Sequence, residues 1–282
     1  MTSMGIVIVT YNRLECLKKN IDCLSRLDIP RDINLNIYVI DNASTDGTRE
    51  WLDKKKNDFN VIHMNENMGG SGGFSKGIDI ASKENDYVWG MDDDAFPRKE
   101  SLIELYDVIR NYGENACYWS NCDKDVDFNN NVKKVDTWMF VGFCVPSKIV
   151  KNVGSSRDDF FIYFDDDEYA KRIIKSGFSI YKVKDSIIDH SDRVTQLDKG
   201  SFWGKEIFIP KLNEWRIYYY TRNRIIRYRR FSLEFWRYIM IKQPWLLFKT
   251  WIINKKLFYY ACLGYFDGIK GKSGKVLNPK DF

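Results

Sequence analysis

Along the chain, short apolar runs suited to strands alternate with apolar residues at helical spacing. Gly5-Ile-Val-Ile-Val-Thr10 is a continuous β-branched run, the mark of a strand covered on both faces. Asn12 stands where a helix cap is expected, with Glu15 three residues on. Leu14, Leu17, Ile21, Leu24 and Leu27 then recur with the period of an amphipathic helix, which Pro30 ends. Residues 35–40 predict a second strand, closing at Asp41 in a turn-rich segment to Gly47. A helix is expected over 48–56 and a short third strand over 61–64. The glycine-rich stretch from Asn67 to Phe74 predicts a loop that opens into a helix reaching about Lys83. A fourth strand over 87–91 leads into Asp92-Asp93-Asp94. Further on, the pattern predicts a helix over 102–112 and strands near 117–120 and 137–145. After Pro210 it turns helical. There are no internal repeats or low-complexity linkers.

This alternation predicts an α/β fold, a mainly parallel sheet flanked by helices, with a C-terminal basic, aromatic helical region. The expected division is residues 1–205 and 206–282. Ligands of open parallel sheets lie beyond the carboxyl ends of the strands. Residues 10–13, 41–46 and 92–94 fall at such ends, and the glycine-rich stretch follows the third strand.

Composition sharpens this picture. Hydrophobic residues are 44% of the chain and charged residues 29%, which supplies a core and excludes disorder or a collagen-like fibre. The net charge of +5 conceals an asymmetry. Residues 211–260 hold 12 Lys/Arg against Glu214 and Glu234, whereas residues 1–210 sum to −7, so an acidic body carries a basic tail. Six cysteines form no CxxC pair and the N-terminus has no signal-peptide pattern, which predicts reduced thiols in a cytoplasmic protein. No apolar run approaches the roughly 20 residues of a membrane span.

Three adjacent carboxylates at 92–94 repel one another unless solvated or neutralised. In an extended segment Asp92 and Asp94 point the same way and can share a hard divalent cation, Mg²⁺ or Mn²⁺; the plain alternative is a solvated acidic turn. A second cluster, Asp165-Asp166-Asp167-Glu168, follows an aromatic run and precedes a helical pattern. Helix capping accounts for one of its acids, and a carboxylate at the rim of an aromatic wall suits a general base. Of the two histidines, His190 ends an apolar run and is a candidate metal ligand, while His63 reads as structural. The glycines of 69–73 lack the Lys-Ser/Thr ending of a P-loop, although they let backbone amides approach an anion.

Together these residues resemble the family 2 glycosyltransferases of GT-A (Rossmann-like) fold, over roughly residues 4–200. Thr10, Asn12 and Arg13 resemble that family's opening nucleotide-binding segment, and Asp41 its second-strand acid, which contacts uracil. The combination of residues 67–74 with 89–97 is similar to bacterial galactofuranosyltransferases, which carry three Asp where most of the family has DxD. The resemblance implies a UDP-sugar donor held by Thr10, Asn12, Arg13, Asp41, Asn67, Gly70, Gly72 and Asp93. It implies a divalent metal on Asp92, Asp94 and His190. It makes Asp166 the base that inverts the anomeric centre, one residue from Asp165 and Asp167 on either side, with Asp165 and Glu168 orienting the acceptor. Trp138 is a candidate sugar platform or a core tryptophan. Rhamnosyl and UDP-hexopyranosyl transfer are the near alternatives. A non-catalytic nucleotide-sugar or RNA-binding protein and a metal nucleotidyltransferase or phosphatase are alternatives of other kinds.

The tail mixes cations with aromatics, and its tryptophans favour a bilayer interface over packing, a homo-oligomer contact or nucleic acid. The element carrying Tyr219, Tyr220, Arg222 and Asn223 also resembles a segment of these transferases in which the arginine, here Arg222, approaches donor phosphates. The expectation is therefore an enzyme of cell-surface polysaccharide assembly. It would be peripheral at the inner face of the membrane and act on a glycan or polyprenyl-linked glycan acceptor, without nucleic acid.

Overall fold

The computed structural model describes residues 1–282 apart from 123–127, 129, 191–195 and 231–234. Its elements run β1 (Thr2–Thr10), α1 (Leu14–Ser25), β2 (Ile33–Asp41), α2 (Thr48–Asp53), β3 (Asn60–His63), α3 (Gly69–Glu84), β4 (Tyr87–Asp92), β5 (Ala95–Pro97) and α4 (Ser101–Tyr112). They continue through β6 (Ala116–Asn121), β7 (Val132–Val135), β8 (Phe143–Pro146), α5 (Ser147–Val153), α6 (Asp165–Lys175) and β9 (Ser179–His190). The chain divides into two compact units, residues 1–158 with 166–191 and residues 159–165 with 192–282.

The first unit is built on one mixed sheet, in the order β3-β2-β1-β4-β8-β6-β9-β5, with β7 paired to β9. Strands β3, β2, β1 and β4 are mutually parallel, and β8 runs against both β4 and β6. β1 lies between β2 and β4, which explains its unbroken β-branched run: Ile6, Val7 and Ile8 are fully buried, feeding cores on both faces.

The glycine-rich stretch is not a loop. Residues 69–73 form the opening of α3, and the glycines let that helix sit close to the sheet. A Cβ on Gly73 would stand 2.5 Å from Val9 Cγ1, and one on Gly77 would stand 2.3 Å from Val7 Cγ1. Small size at a helix–strand contact, rather than turn geometry, selects these glycines. The segment before residue 143 also differs from expectation. The predicted strand over 137–145 shortens to β8, with Gly142 at φ +75° and hydrogen-bonded to Gly90 and Ser120.

In the second unit a hairpin of β10 (Leu197–Phe202) and β11 (Lys205–Pro210) precedes α7 (Glu214–Arg230). There follow the short α8 (Phe235–Arg237), a π-helical turn over Tyr238–Lys242, α9 (Gln243–Ile253) and α10 (Lys255–Lys270). α10 crosses α7 at Gly264, where a Cβ would meet Tyr218 O at 2.4 Å. Among the described residues no helix is long and apolar enough to cross a membrane. None of the six cysteines forms a disulfide.

Candidate active site

The carboxyl ends of β1, β2 and β4 bring the first polar clusters together, because the three strands run side by side and parallel. Asp92 ends β4, and the next two acids are buried in the turn to β5. Their burial is compensated from β1 and the segment after it. Thr10 Oγ1 donates to Asp93 Oδ2 at 2.7 Å, and Arg13 spans both neighbours, Nη1 at 3.1 Å from Asp93 Oδ1 and Nη2 at 2.8 Å from Asp94 Oδ2. Arg13 is thus the counter-ion of the acidic turn. Burial works against its charge, but Asp93 and Asp94 outweigh that and raise its pKa above the ordinary arginine value.

His190 arrives by strand register. β5 pairs antiparallel with β9, matching Ala95 to His190, so the residue that ends β9 lies beside the one that follows Asp94. His190 Nε2 stands 3.4 Å from Asp94 Oδ1. Burial alone would raise the Asp94 carboxyl, yet hydrogen bonds from His190 and Arg13 hold it well below the usual carboxylate range. One ligand atom from each of Asp92, Asp94 and His190 lies within 4.8 Å of the others. A small divalent cation holds its ligands at about 2.1 Å, so two of them stand at most about 4.2 Å apart. These two carboxylates and an imidazole fit such an ion after drawing in by about half an ångström.

Asp41 is fully buried at the end of β2, with Oδ1 accepting the Ser44 amide at 2.9 Å and Oδ2 at 2.8 Å from His63 Nδ1. His63 also reaches Asp53 through Nε2 at 3.2 Å. The imidazole expected to be merely structural is therefore the partner of the buried Asp41 carboxylate. The signal was present, since β3 pairs His63 with Asp41 in register.

Asn12 does not cap α1. It adopts φ +53°, and its Oδ1 accepts the Thr45 amide at 2.7 Å, while Asp46 Oδ2 accepts the Leu14 amide in its place. Asn67 Oδ1 accepts the Gly69 amide at 2.8 Å. Asn42, which sequence reasoning missed, accepts from the Met68 amide and donates to Gly69 O, fixing the start of α3. Gly70 has open space where a side chain would stand, whereas Gly72 is buried against Met68.

The second acidic cluster opens α6. Asp165 and Glu168 are buried; Asp166 and Asp167 are half-buried. Glu168 engages Arg172, whose guanidinium also binds the carbonyls of Val153 and Ser155, and Asp167 accepts from Thr137 Oγ1 and pairs with Lys171. Asp166 Oδ1 accepts the Asp167 amide at 2.7 Å, and Asp166 O accepts from Trp138 Nε1 at 3.0 Å. Trp138 is buried against Phe143 and Tyr169, so it has no open face for a sugar. It braces the backbone of Asp166 instead.

Within the second unit, Phe161, Tyr163 and Phe164 all have positive φ, which bulky residues rarely adopt. Arg222 and Asn223 hold that strained segment. Asn223 Nδ2 donates to Phe160 O, Ile162 O and Tyr163 O. The fully buried Arg222 donates to Phe160 O, Gly274 O and Asn223 Oδ1. Committed to carbonyls, Arg222 is a structural brace here rather than a phosphate ligand.

The model of the family described as glycosyl transferase family 2 matches residues 5–152, more than half of the chain. The chain belongs to that family. Its sequence relatives include the abequosyltransferase RfbV of Salmonella typhimurium, 28% identical over 107 residues, which are 36% of this chain and 32% of that one. Another is the galactofuranosyltransferase GlfT1 of Mycolicibacterium smegmatis, 28% identical over 98 residues, 34% of this chain and 32% of the relative. Each match thus spans about a third of the relative's length. Among solved structures, the mannosyltransferase PcManGT of Pyrobaculum calidifontis in complex with GDP-Man and Mn²⁺ aligns with TM-score 0.60 at 13% identity, over 95% of this chain and 87% of that one. TarS 1–349 of Staphylococcus aureus in complex with UDP-GlcNAc aligns with TM-score 0.53 at 14% identity, over 94% and 89%. These likenesses show the fold, an α/β arrangement around a largely parallel sheet.

Proposed function

We propose that the protein is a metal-dependent, inverting glycosyltransferase that moves a sugar from a UDP-sugar, galactofuranose in the favoured reading, onto a glycan or polyprenyl-linked glycan. The observation that carries this reading is the convergence of Asp92, Asp94 and His190 at the carboxyl ends of the parallel strands. The family match and the GlfT1 relative support the donor class. Asp92, Asp94 and His190 would hold Mn²⁺ or Mg²⁺, which would supply positive charge to a departing diphosphate.

The chain's own residues do the rest. Asp41, fully buried and held by Ser44 and His63 at the end of β2, is the acid the family resemblance places next to uracil. Arg13 pairs with both buried acids, Asp93 and Asp94. Asp166 takes the proton of an acceptor hydroxyl; that oxygen bonds to the anomeric carbon as the bond from carbon to the diphosphate oxygen breaks, inverting the centre. Two features favour Asp166 over its neighbours as base. Asp167 is already engaged by Lys171 and Thr137, and Asp165 and Glu168 are buried. The basic, aromatic tail suits a protein peripheral at the inner face of the membrane. Screening nucleotide sugars with Mn²⁺ by thermal shift, then measuring UDP release, tests the reading. Stabilisation by UDP-galactofuranose alone supports that donor, and no response to any uridine or thymidine nucleotide overturns the whole assignment.

A further inference from the structure

In the second unit α9 exposes Trp245 and Trp251, and the β10–β11 hairpin exposes Leu197, Phe202, Trp203 and Phe208. α9 is apolar on both sides. Leu246 and Thr250 are buried, while Trp245 and Trp251 on the other side are about half exposed. A helix that is apolar all round normally lies buried in a core or in lipid. The hairpin tip extends that face. Phe202 stacks on Trp203 with ring centroids 5.4 Å apart, and its edge meets Phe248 at 5.0 Å. Phe248 in turn stacks between Trp245 at 5.5 Å and Trp251 at 6.4 Å. Five rings thus form one continuous ladder.

Trp203 is the most telling of them. It is 91% exposed, so beyond its stack on Phe202 the side chain buries almost nothing. Its φ is +51° and that of Gly204 is +73°, the two positive values of a type I′ hairpin turn. Asn, Asp or Gly is favoured at the first central position, and tryptophan is strained there. Strain with no return inside the folded chain points to a role outside it.

The setting identifies the occupant. Residues 235–256 contain five Lys/Arg and no Asp or Glu, which complements anionic headgroups and opposes docking of a second copy of the same face. Ile241 and Met240, 64% and 69% exposed, continue the apolar surface beyond α9. With eleven residues α9 is about 16 Å long, half the roughly 30 Å of a bilayer core, so it suits lying along an interface rather than spanning. We propose that the Trp203–Phe202–Phe248–Trp245–Trp251 ladder is a wedge that inserts at the headgroup boundary of an anionic bilayer, with Trp203 at its tip. This deepens the membrane-surface reading given above and rests on it.

The test uses the full chain with vesicles of phosphatidylcholine containing roughly a third phosphatidylglycerol, with Trp203→Asn as the variant. Asparagine suits the turn, so the melting temperature should hold or rise while vesicle partitioning falls by about tenfold. Brominated lipid should quench the fluorescence of the wild type more than that of the variant. UDP binding in solution, measured in parallel, should be equal in both. The wedge is overturned if the variant partitions like the wild type. It is equally overturned if the wild type stays in the supernatant at low salt, or if it sediments as a dimer that Trp203→Asn dissolves. Failure to bind UDP would instead sink the glycosyltransferase reading and leave the vesicle result standing.

Discussion

Trp138 donates its indole N–H to the backbone oxygen of Asp166 at 3.0 Å, so a core tryptophan sets where the first turn of α6 presents its acids. Trp138→Phe keeps the buried ring and removes only the donor. One lost hydrogen bond of about 1 kcal/mol that holds the base in position should lower kcat by roughly fivefold with little change in KM. A sugar-stacking role would instead raise KM, and steady-state kinetics against acceptor concentration separates the two.

His190 and Asp94 meet through strand register rather than sequence proximity. Removing the imidazole by His190→Ala should weaken Mn²⁺ binding in the presence of UDP by about tenfold or more, read by titration calorimetry. Chelation of divalent metal by EDTA should abolish transfer in the wild type, and added Mn²⁺ should restore it. Unchanged metal affinity in the variant would remove His190 from the site.

The glycines of α3 make opposing predictions. Gly73→Ala places a methyl 2.5 Å from Val9 Cγ1 and should cost about 1–3 kcal/mol. Gly70→Ala meets no heavy atom within 4 Å and should stabilise by about 0.5 kcal/mol through helix propensity. Thermal denaturation of the two variants should therefore move in opposite directions.

Asp46 serves two helices, accepting the Leu14 amide at 3.2 Å and both the amide and the hydroxyl of Thr48. Burial raises its carboxyl slightly, but the Thr48 and Leu14 hydrogen bonds outweigh this and lower its pKa below the ordinary value. A lowered folded pKa gives stability that is complete above the unfolded value of about 3.9 and lost as pH falls through the folded one. Asp46→Ala should cost about 1–2 kcal/mol at pH 7. The gap from wild type should shrink below about pH 4, as followed by circular dichroism.

The strand ends were legible because a run such as Ile6–Val9 can only be buried, and acids at 41 and 92–94 can then only lie at its neighbours' termini. Helix starts were less legible. Asn12 has the chemistry of a cap, but Asp46, distant in sequence, fills that place, and the glycines from 69 read as a loop until the valines of β1 supply the packing reason. The β10–β11 hairpin escaped notice because its turn places tryptophan where Asn or Gly is the usual mark. Arg222 and Trp138 were assigned to ligands because composition does not report burial, and their partners proved to be backbone carbonyls.

In the proposed mechanism Asp166 is the base of a metal-dependent sugar transfer. The most direct measurement is UDP release from the UDP-sugar donor in the presence of acceptor and Mn²⁺, for the wild type and Asp166→Asn, alongside calorimetric UDP binding. In the variant UDP affinity should be unchanged and turnover lowered by at least about a hundredfold. Turnover near the wild-type rate, with UDP still bound, would contradict it.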